Sequence, residues 1–313
     1  MYKLTPFNVR DITYKTVSNT PIDATVLIPR DIKPGAHPVL IRWHGGFLIA
    51  GARMYLPFFH QWLFDFARSH SAIIVVPDYR LIPESSGLDI LEDMADFWSW
   101  TRNSLPGELE KVAPGVEIDL ERIAVAGESS GGYLAIQSAL LHPEVGIKAV
   151  IASYPVLDVT SDFFTKAYEK PIFGLPQQPK DLVEKHIVSI KPETIVAADP
   201  SDPLSRIGLA FAVVQQGRYL ELLGEDQRVQ PLENLKGFKG ELPFLFVFHG
   251  KQDSAVPVEG TETFEKLLKE VRPDAEAKFA YEDGEHGFDG ACSLETSWLA
   301  EGLRETEKAW LGK

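Results

Sequence analysis

The chain has 313 residues, of which 44% are hydrophobic and 24% are charged, as is typical of a globular protein that dissolves in water. Its formal net charge of −14 argues against nucleic acid as a partner, because phosphate binding needs clustered Lys and Arg, and it disfavours docking on an anionic membrane. Cys292 is the single cysteine, which excludes an intramolecular disulfide and a cysteine-based metal site. The longest apolar runs fall far short of the roughly 20 residues of a membrane span, and the first residues show no signal-peptide pattern. We therefore expect a cytoplasmic protein with no membrane span.

Short β-rich runs alternate with helical patterns along most of the chain. Strands are predicted at residues 13–17, 24–28, 39–43, 72–77, 122–126, 148–153, 243–248 and 277–281, and the first two read as an antiparallel pair. Helices are predicted at residues 88–102, 132–141, 261–271 and 293–311. Continuous apolar runs are what strands buried on both faces require, so the order of elements predicts an α/β fold with a mostly parallel central sheet flanked by helices.

Residues 159–240 interrupt this alternation with many prolines and irregular helical pieces. About eighty residues are too many for a simple connection within a compact domain, so we interpret this segment as an inserted cap. The core then consists of residues 1–158 and 241–313. The first part of the insert is rich in apolar and aromatic side chains, which are suited either to line a pocket or to anchor the insert: Phe163, Phe164, Tyr168, Ile172, Phe173 and Leu175.

A Gly-x-Ser-x-Gly pattern occupies residues 127–131, between a predicted strand and a predicted helix. A tight strand-to-helix turn of this kind presents its central residue, Ser129, at the edge of the sheet, and the flanking glycines avoid clashes. The pattern therefore indicates Ser129 as a nucleophile.

A serine hydroxyl needs a base and an orienting acid, which follow it along the chain in the order Asp or Glu, then His. Asp253 follows one late predicted strand and His286 follows the last one, so both side chains can gather at the sheet edge near Ser129. His249 is a rival for the base, and Asp283 is a rival for the acid.

The residues that follow the predicted strand 39–43 are His-Gly-Gly-Phe, at positions 44–47. Glycines at such a position let backbone N–H groups approach a reacting carbonyl, and a tetrahedral intermediate needs donors of this kind. We expect Gly45 and Gly46, together with the N–H of Ser130, to form the oxyanion hole. A second pair, Gly46 and Phe47, stays open.

These motifs together resemble the hormone-sensitive-lipase-like esterase branch of the α/β-hydrolase superfamily, the alpha/beta hydrolase fold-3 type. The resemblance rests on residues 44–47, on Asp-Tyr-Arg-Leu-Ile-Pro-Glu at 78–84 and on residues 127–131. It implies an α/β-hydrolase fold with a cap over the site, esterase or lipase activity, no cofactor, and a supporting role for residues 78–84. Phe47 stands where the branch usually has a third glycine, and Glu128 stands where it often has Asp or Thr.

We therefore expect a serine hydrolase that cleaves carboxylic esters through an acyl-enzyme, with Ser129 as nucleophile, His286 as general base and acid, and Asp253 as orienting acid. The same residues would serve an amidase or small-peptide hydrolase, or a biosynthetic acyl-transfer or lyase enzyme, and these alternatives stay open. A ligand-binding protein on this scaffold would typically lack a member of the triad. The expected partner is a small-molecule ester, with no cofactor, no metal and no nucleic acid; a homodimer is left open.

Overall fold

The computed structural model describes residues 2–198 and 201–312. Their strands form a single eight-stranded sheet in the order β1-β2-β4-β3-β5-β6-β7-β8. Strand β2 is antiparallel to β1 and to β4, and every other neighbouring pair is parallel. The bounds are β1 Phe7–Val17, β2 Thr20–Pro29, β3 Gly35–Trp43, β4 Ile73–Pro77, β5 Val116–Glu128, β6 Ala149–Ser153, β7 Phe244–Gly250 and β8 Ala277–Glu282. All eight predicted strands are present, so the predicted fold class is confirmed.

Eleven α-helices occur in the described residues. Their bounds are α1 Gln61–Ser69, α2 Gly87–Asn103, α3 Leu105–Val112, α4 Ser130–Leu141, α5 Asp162–Thr165, α6 Leu182–Ser189, α7 Ile207–Gln215, α8 Tyr219–Leu223, α9 Pro231–Gly237, α10 Val258–Val271 and α11 Ser297–Leu311. Short 3-10 turns lie at Tyr2–Leu4, Pro143–Val145, Ile172–Gly174, Gln227–Val229 and Phe288–Ala291. The four predicted helices correspond to α2, α4, α10 and α11, whereas α1 and α3 were not predicted.

The sheet has an apolar layer on each face. Along β4, Ile73 and Val75 point into one layer, while Ile74 and Val76 point into the other. Helices α1 and α11 cover the second face, and α2, α4 and α10 cover the first. Because β3, β5, β6, β7 and β8 run parallel, the loops that follow them meet at the same edge of the sheet.

Residues 159–240 form the short helices α5–α9 and the loops between them. Residues 199 and 200 of this segment lie outside the described residues, as do residues 1 and 313. The end of this segment packs against α4, whose Tyr133 hydroxyl donates to Val229 O at 3.0 Å. Its middle is fastened over the strand edge, where the Arg206 guanidinium donates to Glu84 and to Ile82 O. The division into a core and a cap stays a prediction.

Candidate active site

Ser129 lies on a tight turn between β5 and α4, as the glycine pattern predicts. Its backbone has φ 58° and ψ −123°, a left-handed conformation that costs free energy for a residue with a side chain. A Cβ on Gly127 would lie 2.1 Å from Gly131 O, and a Cβ on Gly131 would lie 2.1 Å from Trp43 O, so both positions require glycine. The Ser129 N–H donates to Ser153 O on β6 at 2.9 Å, which fixes the turn to the sheet.

The structure brings His286 and Asp253 together across the loops after β8 and β7. His286 Nδ1 lies 2.6 Å from Asp253 Oδ2, while Asp253 Oδ1 accepts the N–H groups of Ala255 and Val256 at 2.9 and 2.7 Å. Burial by itself raises the pKa of Asp253, but His286 and His249 outweigh it and hold that pKa well below its usual range. Asp253 is therefore a buried carboxylate that can fix one imidazole tautomer.

The two rival residues occupy other positions. His249 is fully buried and does not line the cavity that holds Ser129. Its Nδ1 lies 2.8 Å from Thr261 Oγ1, and its Nε2 lies 2.9 Å from Val256 O and 3.2 Å from Asp253 Oδ2. An Nε2–H imidazole satisfies all these contacts, so His249 supports Asp253 from behind. Asp283 is exposed, and its Oδ1 lies 3.5 Å from Lys251 Nζ.

The loop at 44–47 lies beside Ser129, but its N–H groups are not equivalent. The Gly45 N–H donates to Glu128 Oε1 at 2.9 Å and is thereby occupied. Gly46 and Phe47 have φ of 122° and 58°, and their N–H groups have no protein acceptor among the described residues. Ser130 opens α4, where N–H groups lack helical acceptors. The geometry therefore disfavours the expected Gly45 and favours the open alternative, Gly46 with Phe47.

Glu128 and Arg42 form a buried ion pair under this loop. Arg42 Nε donates to Glu128 Oε2 at 3.1 Å, its Nη2 donates to Oε1, and its Nη1 donates to Arg53 O at 3.0 Å. Burial raises the pKa of Glu128, and Arg42 and the Gly45 N–H counteract part of that rise. The pair fastens the loop to β3 and β5, next to the nucleophile.

His44 and the element at 78–84 support the same loop. The His44 ring stacks on Tyr79 with 4.3 Å between centroids, and the Tyr79 hydroxyl donates to His44 O at 2.6 Å. Burial lowers the pKa of His44 to about 3, so this imidazole is neutral at ordinary pH. Asp78 accepts the Arg53 N–H at 2.7 Å. These contacts agree with the supporting role that the resemblance implies.

Ser129 and His286 line the same cavity, which has a volume of about 360 Å³ and also borders Gly45, Gly46 and Phe47. Its wall is otherwise mostly apolar: Phe47, Phe58, Tyr154, Phe173, Ile207 and Phe211. A serine on a strained turn, a His–Asp pair and unpaired backbone donors therefore meet in one small pocket, which is the arrangement that acyl transfer needs.

A family model described as alpha/beta hydrolase fold matches residues 40–289, which is most of the chain. The chain belongs to the α/β-hydrolase family. The match confirms the resemblance that the motifs indicated. This α/β hydrolase is 35% identical over 309 residues to the probable carboxylesterase M8 of Phoma sp., covering 96% of this chain and 95% of that protein.

Two further comparisons agree. The hydrolase is 35% identical over 205 residues to the probable carboxylesterase clz11 of Cochliobolus lunatus, covering 62% of this chain and 92% of that protein. It resembles the crystal structure of esterase LipW from Mycobacterium marinum with a TM-score of 0.62 at 20% identity, covering 98% of this chain and 82% of that one. At this identity the structural likeness shows the fold alone.

The part of this α/β hydrolase that the structure describes contains no helix with both the length and the apolar character needed to cross a membrane. Within the same residues, no group of three or more His, Cys, Asp or Glu side chains is arranged to hold a metal ion.

Of the aromatic set predicted in the insert, Phe173 is the member that lines the cavity. Its ring lies 6.0 Å from that of His286, and its N–H donates to Ser254 Oγ at 2.8 Å. Ser254 in turn donates to Glu285, which accepts the His286 N–H at 2.8 Å. Phe164 is buried against Tyr219 instead, with 5.0 Å between ring centroids. Phe173 therefore lines the pocket, whereas Phe164 anchors the segment.

Two charged or polar side-chain pairs beside the cavity of this hydrolase were not predicted from the sequence. Arg42 lies within an otherwise apolar strand, and a buried charge requires a partner, so a signal for Arg42–Glu128 existed. His60 was given no role, yet it lines the cavity and pairs with Asp289. No sequence pattern links those two positions.

Proposed function

We propose that the chain is a carboxylester hydrolase that works through an acyl-enzyme, with Ser129 as nucleophile, His286 as general base and acid, and Asp253 as orienting acid. The observation that carries the proposal is the common cavity of Ser129 and His286, together with the 2.6 Å contact that joins His286 Nδ1 to the buried Asp253. The names of the two similar probable carboxylesterases support an ester as the substrate.

The proton movements follow from that geometry. Because Nδ1–H of His286 donates to Asp253, Nε2 is the nitrogen left to accept the Ser129 proton. The serine oxygen attacks the ester carbonyl, and the tetrahedral intermediate collapses as His286 gives the proton to the leaving alkoxide. Water then attacks the acyl-enzyme while His286 takes its proton, and the acid departs as Ser129 regains a proton from His286.

The negative oxygen of the intermediate would be held by the N–H groups of Gly46, Phe47 and Ser130. Gly45 is left out of this set, because its N–H donates to Glu128 Oε1. Gly46 and Phe47 have positive φ values, and the N–H groups of Ile49 and Ala50 donate to Gly46 O at 3.0 and 2.9 Å, which closes the turn. Donors fixed in this way need no rearrangement when charge develops, and a single such donor is typically worth about 10²–10³ in kcat.

The size of the cavity supports a compact substrate. A volume of about 360 Å³ is near the lower end of the roughly 300–1,000 Å³ of small-molecule pockets. Short-chain or compact aromatic esters therefore fit better than long-chain triglycerides. Activity measured across acyl chain lengths checks this, and maximal activity on emulsified long-chain lipid would contradict it.

Labelling with a fluorophosphonate probe, followed by mass spectrometry of the modified peptide, tests the nucleophile. We expect the label on Ser129, its loss in Ser129→Ala, and its retention in Ser189→Ala, which removes an exposed hydroxyl on α6. Rates on matched ester and amide substrates separate ester hydrolysis from the amidase alternative. Product analysis with an alcohol acceptor in water-free solvent tests the acyl-transfer alternative. A Ser129→Ala variant that keeps more than about a tenth of the wild-type turnover would falsify the assignment.

A further inference from the structure

A second imidazole–carboxylate pair borders the cavity of Ser129. His60 Nδ1 lies 2.8 Å from Asp289 Oδ2, and the Trp62 indole N–H donates to the same oxygen at 2.9 Å. Asp289 is only 1% exposed and lies on the 3-10 turn that follows His286. His60 precedes α1 and lines the cavity together with Ser129 and Phe58. The mechanism proposed above uses neither residue.

The pair leaves one ring nitrogen for a ligand. Because Nδ1 is bonded to Asp289, Nε2 is the polar atom of His60 that remains, and it has no protein partner among the described residues. The rest of the wall is largely apolar. A purely apolar substrate that displaced water from this wall would leave Nε2 without a hydrogen-bond partner, which weakens binding of that substrate. Sites that hydrogen-bond a substrate group discriminate in this way against analogues that lack it.

We propose that His60, held by Asp289, is a subsite for a hydroxyl group of the ester substrate. The inference rests on the ester hydrolase function proposed above. A hydroxyl can donate to Nε2 of a neutral ring or accept from Nε2–H of a protonated one, so it pairs with His60 in either state. A substrate carboxylate fits less well, because two carboxylates already lie close to this position. Glu128 lines the cavity, and Asp289 contacts His60 from the side of a small neighbouring cavity. The preferred substrates are therefore esters that carry a hydroxyl on the acyl or the alcohol part.

The kinetic test compares ethyl butanoate with ethyl 2-, 3- and 4-hydroxybutanoate, and butyl acetate with its hydroxybutyl analogues. The wild-type enzyme should prefer at least one hydroxylated ester by about tenfold or more in kcat/KM. In His60→Phe this preference should fall to near one, and Asp289→Asn should lower it in the same direction. His142→Phe is the matched control, because His142 pairs with Glu144 outside the cavity, and it should keep the wild-type preference.

The binding test needs no turnover. Calorimetry with Ser129→Ala should show tighter binding of the hydroxylated member of the preferred pair. The His60 resonances in imidazole ¹⁵N spectra can be assigned by their loss in His60→Gln. The chemical shift of His60 Nε2 should change on addition of the hydroxylated ligand and not on addition of the deoxy ligand. Absence of any preference in both tests, or a preference that persists in folded His60→Phe, overturns the subsite. Absence of turnover and of label on wild-type Ser129 overturns the ester hydrolase function instead, while the binding data still decide the subsite.

Discussion

Replacing Glu128 by glutamine tests how the oxyanion loop is held. The carboxylate receives three N–H groups: those of Gly45, Arg42 Nε and Arg42 Nη2. A glutamine offers one oxygen where two are needed, so whichever way its amide turns, an NH₂ group faces a donor. The substitution also leaves Arg42, which is 0% exposed, without its countercharge.

Two separate losses are expected from Glu128→Gln. Removing one partner of a buried ion pair typically costs about 3–5 kcal/mol of folding stability. If the Gly45 peptide rotates, the N–H groups of Gly46 and Phe47 no longer point at the oxyanion. Loss of one such donor lowers kcat by about 10²–10³. KM should change little, because the ground-state carbonyl depends less on these donors than the transition state does.

The assay measures kcat and KM on a short activated ester, and the free energy of unfolding in urea. Glu121→Gln is the matched control, because Glu121 lies exposed on the same strand, and it should behave as wild type. The double variant Glu128→Gln, Arg42→Met removes the lone charge, so it should recover part of the stability but not of kcat. Unchanged kcat in a folded Glu128→Gln variant would refute the role assigned to Glu128.

Three further outcomes are expected. His286→Ala should lower kcat nearly as far as loss of Ser129, and Asp253→Asn should lower it by up to about 10⁴ because it favours the wrong tautomer; activity assays that show mild effects contradict the triad. His44 has a folded-state pKa of about 3 against about 6.5 unfolded, so its contribution to stability is full above about pH 6.5 and falls by about 2 kcal/mol at pH 5. Urea unfolding of wild type and His44→Gln at the two pH values measures this, and identical pH dependence rules it out. Phe173→Ala should shift the acyl-chain preference with Ser129 still labelled, whereas a loss of stability with unchanged preference indicates anchoring alone.

The parts of this molecule that sequence predicts are those fixed by local patterns. The glycines around Ser129 leave little choice of backbone, and chain order with strand ends placed Asp253 and His286 near it. The choice between Gly45 and Phe47 could not be made in this way, because it depends on a carboxylate that reaches the loop from β5.

Contacts between distant parts of the chain could not be predicted from the sequence. His60 and Asp289 meet only because α1 and the turn after β8 converge on the same sheet edge. In the segment 159–240, the aromatic first part was predicted to line a pocket, whereas Ile207 and Phe211 on α7 also line the cavity. Helix α7 is apolar on nearly every side, and such a run was visible in the sequence as a buried helix.

The left-handed backbone of Ser129 has a consequence for engineering and for evolution. A conformation of this kind costs about 1–3 kcal/mol for a residue with a side chain and almost nothing for glycine. An inactive Ser129→Gly enzyme should therefore outlast the active one at high temperature, while Ser129→Ala keeps the strain. Selection for thermal stability alone will therefore favour inactive variants at this position. Ser129 is retained only if variants are also selected for turnover.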